Sequence, residues 1–209
     1  AASVVAERLI FYNRSYFDGN NPAANAADDG AIATDKWALL PGKEASFANY
    51  TSYRRGINGI MVDIKGLPGA PSVDDFIFRV GNSNDPAAWS AAPAPQVVSV
   101  RPGAGVDGSD RVTITWADNA IAKQWLQITV KSNANTGLAS PDVFYFGNAI
   151  GDTGNSAANA FVDGNDLIGV RDNPHNFLNR AAVDDVYDIN RDSLVDGTDL
   201  ILTRDNATN

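Results

Sequence analysis

One twelve-residue phrase occurs twice near the end of this 209-residue chain, and the repeat constrains the fold of everything around it. Val162-Asp163-Gly164-Asn165-Asp166-Leu167-Ile168-Gly169-Val170-Arg171-Asp172-Asn173 returns 33 residues later as Val195-Asp196-Gly197-Thr198-Asp199-Leu200-Ile201-Leu202-Thr203-Arg204-Asp205-Asn206, with nine of twelve positions identical. Self-similarity at a fixed period marks duplicated structural units that bury their apolar faces against each other. In both copies an Asp precedes a Gly and a short apolar run, the pattern of a helix N-cap.

The residues leading into the second copy carry oxygen at regular intervals. Asp188, Asn190, Asp192, Asp196 and Asp199 fall at positions 1, 3, 5, 9 and 12 of a twelve-residue loop, and Leu194 at position 7 offers its backbone carbonyl. This is EF-hand spacing. Calcium takes six to eight oxygens, and a tight loop supplies them by turning alternate side chains inward. Ser193 stands at position 6, where an EF-hand prefers Gly for its sharp turn. Asx side chains that merely cap turns are the competing reading of such a loop.

The first copy is less regular. Counting back from Asp166 and Asp163 puts Phe161 at position 7, Asn159 at 5, Ala157 at 3 and Asn155 at 1, so position 3 lacks a side-chain oxygen. An insertion would instead let Asp152 serve as position 1, with Asn155 or Asn159 completing the set, and that reading is preferred. The expected ligand set is therefore Asp152, Asn155, Asn159, Phe161, Asp163 and Asp166.

With these residues in hand, the tail resembles a type I dockerin: two calcium loops, each followed by one helix, with Asp at loop position 12. The match is closest over Asp188 to Leu200. The resemblance covers only the last 60 or so residues. It implies a small α-helical domain over residues 147–209 holding two calcium ions. It also implies a cohesin-type partner, or attachment within a large secreted protein devoted to polysaccharide breakdown.

Residues 1–146 read differently. They carry 14 acids against 12 bases, whereas residues 147–209 carry 11 against 4 and no lysine. Val4 to Phe11, Ile57 to Ile64, Phe76 to Val80, Val97 to Val100, Val112 to Trp116, Leu126 to Val130 and Val143 to Phe146 are apolar or alternate with period 2, separated by Gly, Pro, Asn and Asp. Seven such segments predict a mainly β fold, an antiparallel β-sandwich of Ig-like or jelly-roll type. One helical turn is expected between Asp28 and Leu40. On the central segment Ile60, Val62 and Ile64 form one face, and Gly59, Met61 and Asp63 the other.

Two further groups are candidate sites. Asp18, Asn20, Asp28, Asp29 and Asp35, with Asp63 nearby, could hold a third calcium between loops, although ordinary turn and cap roles compete. Trp125, Trp89 and Trp37 could stack on sugar rings, whose C–H faces suit aromatic surfaces, although packing is the competing role for each. Trp116 shares a face with Val112 and Ile114 and is expected in the core.

Composition narrows the function classes. Of 25 acids, 23 are Asp, and the net charge is −9, which argues against nucleic acid and anionic membranes as partners. The absence of Cys and the single His175 leave no thiol chemistry and no His-paired metal site. No apolar run is long enough to insert in a membrane. The chain begins at Ala1 and reads as part of a longer extracellular protein continuing upstream. A non-catalytic module for docking or surface attachment is the leading expectation. A carbohydrate-binding sandwich with the tail as an internal clasp is the alternative. An enzyme is disfavoured, because no catalytic triad or phosphate loop is present and abundant Asp makes a chance carboxylate pair easy.

Overall fold

The computed structural model describes residues 2–208. All seven expected segments are strands: β1 (Val4–Ile10), β3 (Gly59–Lys65), β4 (Phe76–Gly81), β6 (Val97–Arg101), β7 (Asp110–Thr115), β8 (Trp125–Val130) and β9 (Asp142–Asn148). Two short strands join them, β2 (Tyr50–Thr51) and β5 (Ser90–Ala91). They form a four-stranded sheet of order β1-β3-β7-β6 and a five-stranded sheet of order β2-β9-β8-β4-β5. Pairing is antiparallel except at one edge, where β2 runs parallel to β9. The expectation of a wholly antiparallel arrangement fails there. β9 also continues to Asn148, two residues past the expected boundary at 146.

The two sheets share one apolar core. Ile60, Val62 and Ile64 of β3 and Val112 and Ile114 of β7 belong to the same buried cluster as Leu126, Ile128 and Val130 of β8 and Phe144 and Phe146 of β9. Each such side chain contributes roughly 1.5–3 kcal/mol on leaving water. Trp116 is buried as expected, edge-on to Phe78 with centroids 5.1 Å apart, and its indole N–H donates to the Pro93 carbonyl at 3.0 Å.

β3 departs from simple alternation, because its second face is buried too. The Phe11 ring lies against Gly59, Met61 joins the core, and Asp63 receives the Val106 N–H at 2.9 Å. Arg111 on β7 clamps Asp63 with two bonds of 2.8 and 2.7 Å and reaches Asp29 at 2.9 Å. Arg101 holds Asp29 from the other side. Excursions between strands therefore cover a face that would otherwise meet solvent.

The expected helical turn is shorter and earlier than the sequence suggests. Ala26–Ala31 forms a 3-10 helix opened by an Asn25 capping box, and Ile32 then bridges to Phe11 in extended form. Capping explains the shift: Asn25 accepts from Ala27 N–H at 2.7 Å and Asp28 from Asn25 N–H at 2.8 Å.

The tail carries the two α-helices, α1 (Gly164–Asp172) and α2 (Gly197–Asp205). They pack on each other around Val170, Ala181 and Val195, with Tyr187 and Leu200 alongside. This core is small, and isolated nine-residue helices are marginal in water. The tail is also bonded to the sheets through its backbone. Tyr16 N–H donates to Arg191 C=O and Arg54 N–H to Ile189 C=O, both at 2.9 Å, and Ala149 N–H donates to Thr51 C=O at 2.9 Å.

Arg111→Leu leaves Asp63 buried and unpaired. It is expected to cost about 3–5 kcal/mol in denaturant unfolding, since breaking a buried ion pair strands its partner.

Candidate metal centre

The second loop closes on two buried carboxylates. Asp188 and Asp199 have no exposed surface. Asp188 accepts N–H bonds from Asp192 at 3.1 Å and Ser193 at 2.8 Å. Asp199 accepts from Ile189 at 2.8 Å, Asn190 at 3.2 Å and Asp196 at 3.0 Å. Asn190 accepts from the Asp192 N–H at 2.9 Å and donates its amide to the Asp192 carboxylate at 2.8 Å. Asp192 also accepts from the Leu194 N–H at 2.9 Å. Arg191 and Ser193 take left-handed backbone angles, φ 56° and 71°. Ser193 thus makes the sharp turn that Gly would make without strain. Asp196 stands at the rim, where it caps α2 through the Thr198 N–H at 2.7 Å.

The first loop closes the same way with three more residues inside it. Thr153 N–H and Asp163 N–H donate to Asp166, each at 2.8 Å, matching the bonds of Ile189 and Asp196 to Asp199. Asp152 occupies the place of Asp188: it has no exposed surface and accepts the Gly154 N–H at 2.8 Å. The structure therefore places Asp152, not Asn155, at the head of this loop. The Asn155 amide reaches Asp163 at 3.1 Å, and Asp163 caps α1 through Asn165 N–H at 2.7 Å. Asn159 is not brought in. It is exposed and spends its side-chain oxygen on the Phe161 N–H at 3.0 Å, and the Phe161 ring is exposed as well.

Both loop heads are fastened to the β part by residues that the sequence did not single out. The Tyr50 hydroxyl on β2 donates to Asp152 at 2.6 Å. Arg191, in the fourth loop position, is 1% exposed. Its guanidinium donates to the Asp185 and Asp188 carbonyls and to the Tyr12 hydroxyl, and lies 4.4 Å from the Tyr12 ring centre. Nothing in local spacing marks the Tyr50–Asp152 and Arg191–Tyr12 contacts, because they span 102 and 179 residues of sequence.

Electrostatics distinguish these acids from ordinary turn residues. Burial pushes the Asp188 carboxyl up to about 7, with Asp199 and Asp192 adding repulsion against the opposing pull of Arg191. Burial likewise lifts Asp199 to about 6, despite its three backbone hydrogen bonds. Asp152 is raised by burial, with the Tyr50 bond acting against it. Among the described residues, no three His, Asp or Glu side chains form a ready metal-holding group; the loop carboxylates are turned onto backbone N–H groups. The donor set nevertheless fits a hard cation. It is all oxygen, Asp188 keeps a second lone pair on each carboxylate oxygen and Asp199 one on Oδ2, and the buried charge is met only in part by Arg191.

The other expected sites are dispersed or reassigned. Asp29 is paired with Arg101 and Arg111, Asp35 with Lys36 at 3.0 Å, and Asn20 is exposed in a tight turn. These three are not brought into one cation site, because cationic side chains or solvent take them first. Asp63 belongs to the Arg111 clamp. Trp37 is 64% exposed. Trp125 and Trp89 are half-buried on the five-stranded sheet, edge-on to Tyr50 and Tyr145 at 6.2 and 5.8 Å. Two grooves of about 420 and 470 Å³ meet there, both lined by Asn82 and Trp125. The first also takes Ala160, Phe161 and Asn206 from the tail.

Comparison with known proteins finds no match in family models, curated proteins or solved structures.

A pH dependence follows from the raised carboxyls. Unfolded Asp ionises near 3.8, whereas Asp188 and Asp199 hold their protons to about 7 and 6 in the fold. In chelator these two groups bind more protons in the folded state across this window, so their contribution to stability is fullest near pH 4 and is lost towards pH 7. Thermal melts in chelator should show that decline, and saturating calcium should abolish most of it.

Proposed function

We propose that this chain is a non-catalytic, secreted calcium-binding module. Its dockerin-like tail serves docking or surface attachment within a larger polysaccharide-related extracellular protein. The observation that carries this reading is the duplicated closure. Asp152 with Asp166, and Asp188 with Asp199, are four carboxylates without exposed surface, set at matching places in two loops. Asp188, Asn190, Asp192, Asp199 and the Leu194 carbonyl would hold one ion, with Asp196 at the rim. Asp152, Asn155, Asp163 and Asp166 would hold the other. A bound calcium supplies positive charge here, and no reaction. The protein's own residues fix the loop heads, Tyr50 through Asp152 and Arg191 through the carbonyls of Asp185 and Asp188.

The docking role is supported by what the tail leaves open. Ile168 and Ile201, equivalent positions of the two repeats, are 49% and 51% exposed on the outer faces of α1 and α2. Paired apolar residues on adjacent helices suit a protein partner such as a cohesin-type module. The face of the tail that meets the β part is already occupied.

Calorimetric titration of chelator-stripped protein tests the reading. Two tail sites are expected. At calcium a hundredfold above Kd each contributes about 2.7 kcal/mol, and together they raise Tm by roughly 10 °C or more. No heat and an unchanged melt would overturn it.

A second reading, polysaccharide binding with the tail as an internal clasp, is favoured by the joined grooves at Trp125. Their lining combines the aromatic faces of Trp89 and Tyr145 with the amides of Asn82 and Gln124, groups that suit a sugar chain, alongside Lys43, Glu44 and Lys123. Pull-down on insoluble polysaccharides should retain the wild type and lose Trp125→Ala; equal retention of both, or none of either, would dismiss it.

A further inference from the structure

The first acidic cluster of the sequence does not survive intact, but two of its members remain together and unexplained. Asp18 and Asp28 sit on two 3-10 helices, Tyr16–Asp18 and Ala26–Ala31, that pack directly on each other. The approach is close enough that a Cβ on Gly30 would lie 2.9 Å from the Phe17 carbonyl oxygen. Asp18 is 2% exposed and Asp28 is 0% exposed.

The two carboxylates differ in how far they are bonded. Both oxygens of Asp18 are met by backbone N–H groups, Arg14 at 2.5 Å and Asn21 at 3.3 Å, with those of Ser15 and Asn20 also facing it. Asp28 accepts only the Asn25 N–H, through Oδ2 at 2.8 Å. Its Oδ1 is buried and has no hydrogen-bond partner. A buried carboxylate oxygen with no donor carries a desolvation cost, which the Asn25 N–H and the charge of Arg101 offset only in part. The nearby cations are committed elsewhere: Arg101 holds both oxygens of Asp29, and Arg14 faces Asp118 at 3.3 Å.

We propose that Asp18 and Asp28 form a cation site at the junction of these two 3-10 helices, specific for a hard divalent ion of the calcium type. Two carboxylates supply the charge that such an ion selects, and backbone carbonyls and water complete its oxygen shell. Burial pushes the Asp28 carboxyl up to about 6, and the Asp18 charge pushes it the same way. This site is separate from the tail loops and does not depend on the reading of them. Its place under the first long excursion gives it a structural consequence: the ion pins residues 16–31 against β1, where Tyr12 and Ala33 bond to Ala31 and Ile10.

The test counts calcium by elemental analysis on the full chain after dialysis against low-calcium buffer, for the wild type, Asp28→Asn and Asp199→Asn. Asp28→Asn should bind one ion fewer than the wild type and keep the tail ions. Asp199→Asn should lose a tail ion and keep the one that depends on Asp28. A count unchanged by Asp28→Asn overturns this proposal alone, whereas a wild type without calcium overturns the tail reading as well. Melting gives a second readout. Asp28→Asn should melt higher than the wild type in chelator, where the unpaired charge is a cost, and lower in saturating calcium. A variant that melts lower in both conditions has lost only a cap, and the proposal fails. If Asp28→Asn does not fold, Asp18→Asn is read by the same count and the same pair of melts.

Discussion

One buried guanidinium ties the molecule together. Arg191 belongs to the tail by sequence and to the β part by contact, with its head against Tyr12 and its donors on the carbonyls of its own loop. Burying a charge this completely is costly unless its hydrogen bonds are made; Nη1 and Nη2 make theirs only when loop and sheets are both in place, while Nε is buried without a partner. The loop must be closed to present the Asp185 and Asp188 carbonyls. The region after β1 must be folded to present Tyr12, which itself packs edge-on to Tyr53 at 5.1 Å. Neither part satisfies Arg191 alone, so the two are coupled through it.

That coupling bears on the two acidic loops. Each loop gathers buried carboxylates in a volume with too little positive charge, and in the second loop Arg191 is the one cation acting directly on Asp188. An ion would relieve the repulsion and hold the turn that aims Arg191 at Tyr12. The first loop reaches the same end through Tyr50, whose hydroxyl meets Asp152 beside the parallel β2–β9 edge. Two loops with one closure pattern are thus fixed to the sheets at two points. This arrangement favours a tail held as part of the module over one swinging free, while α1 and α2 keep their outer faces open.

The sequence exposed what is local and hid what is not. Period-2 alternation located every long strand, because one face of each must be apolar. The repeat located both helices and the acids that cap them, because capping acts within three residues. The inserted residues of the first loop were legible from the spacing of Asp152 and Asp166. By contrast, the turn expected between Asp28 and Leu40 lies earlier, since a capping box at Asn25 starts it at Ala26 and the chain is extended again from Ile32. The second face of β3 looked half-polar, yet Asp63 is buried because Arg111, 48 residues on, neutralises it. Asp29 and Asp35 were grouped with Asp18 and Asp28 by proximity in sequence, but cationic side chains from other elements drew them away. Arg191, Tyr12 and Tyr50 left no local trace, since their roles exist only in the folded contact.

On the proposed reading, loop closure, calcium and the tail-to-sheet contact form one cooperative unit. Hydrogen exchange read by mass spectrometry on the full chain, with calcium and with chelator, tests this directly. The account predicts that removing calcium releases the amides of Ile189, Asn190 and Ser193 together with those of Tyr16 and Arg54, which donate to the tail backbone, while β3, β7 and β8 stay protected. Protection of the loop and interface amides that is the same with and without calcium would contradict it.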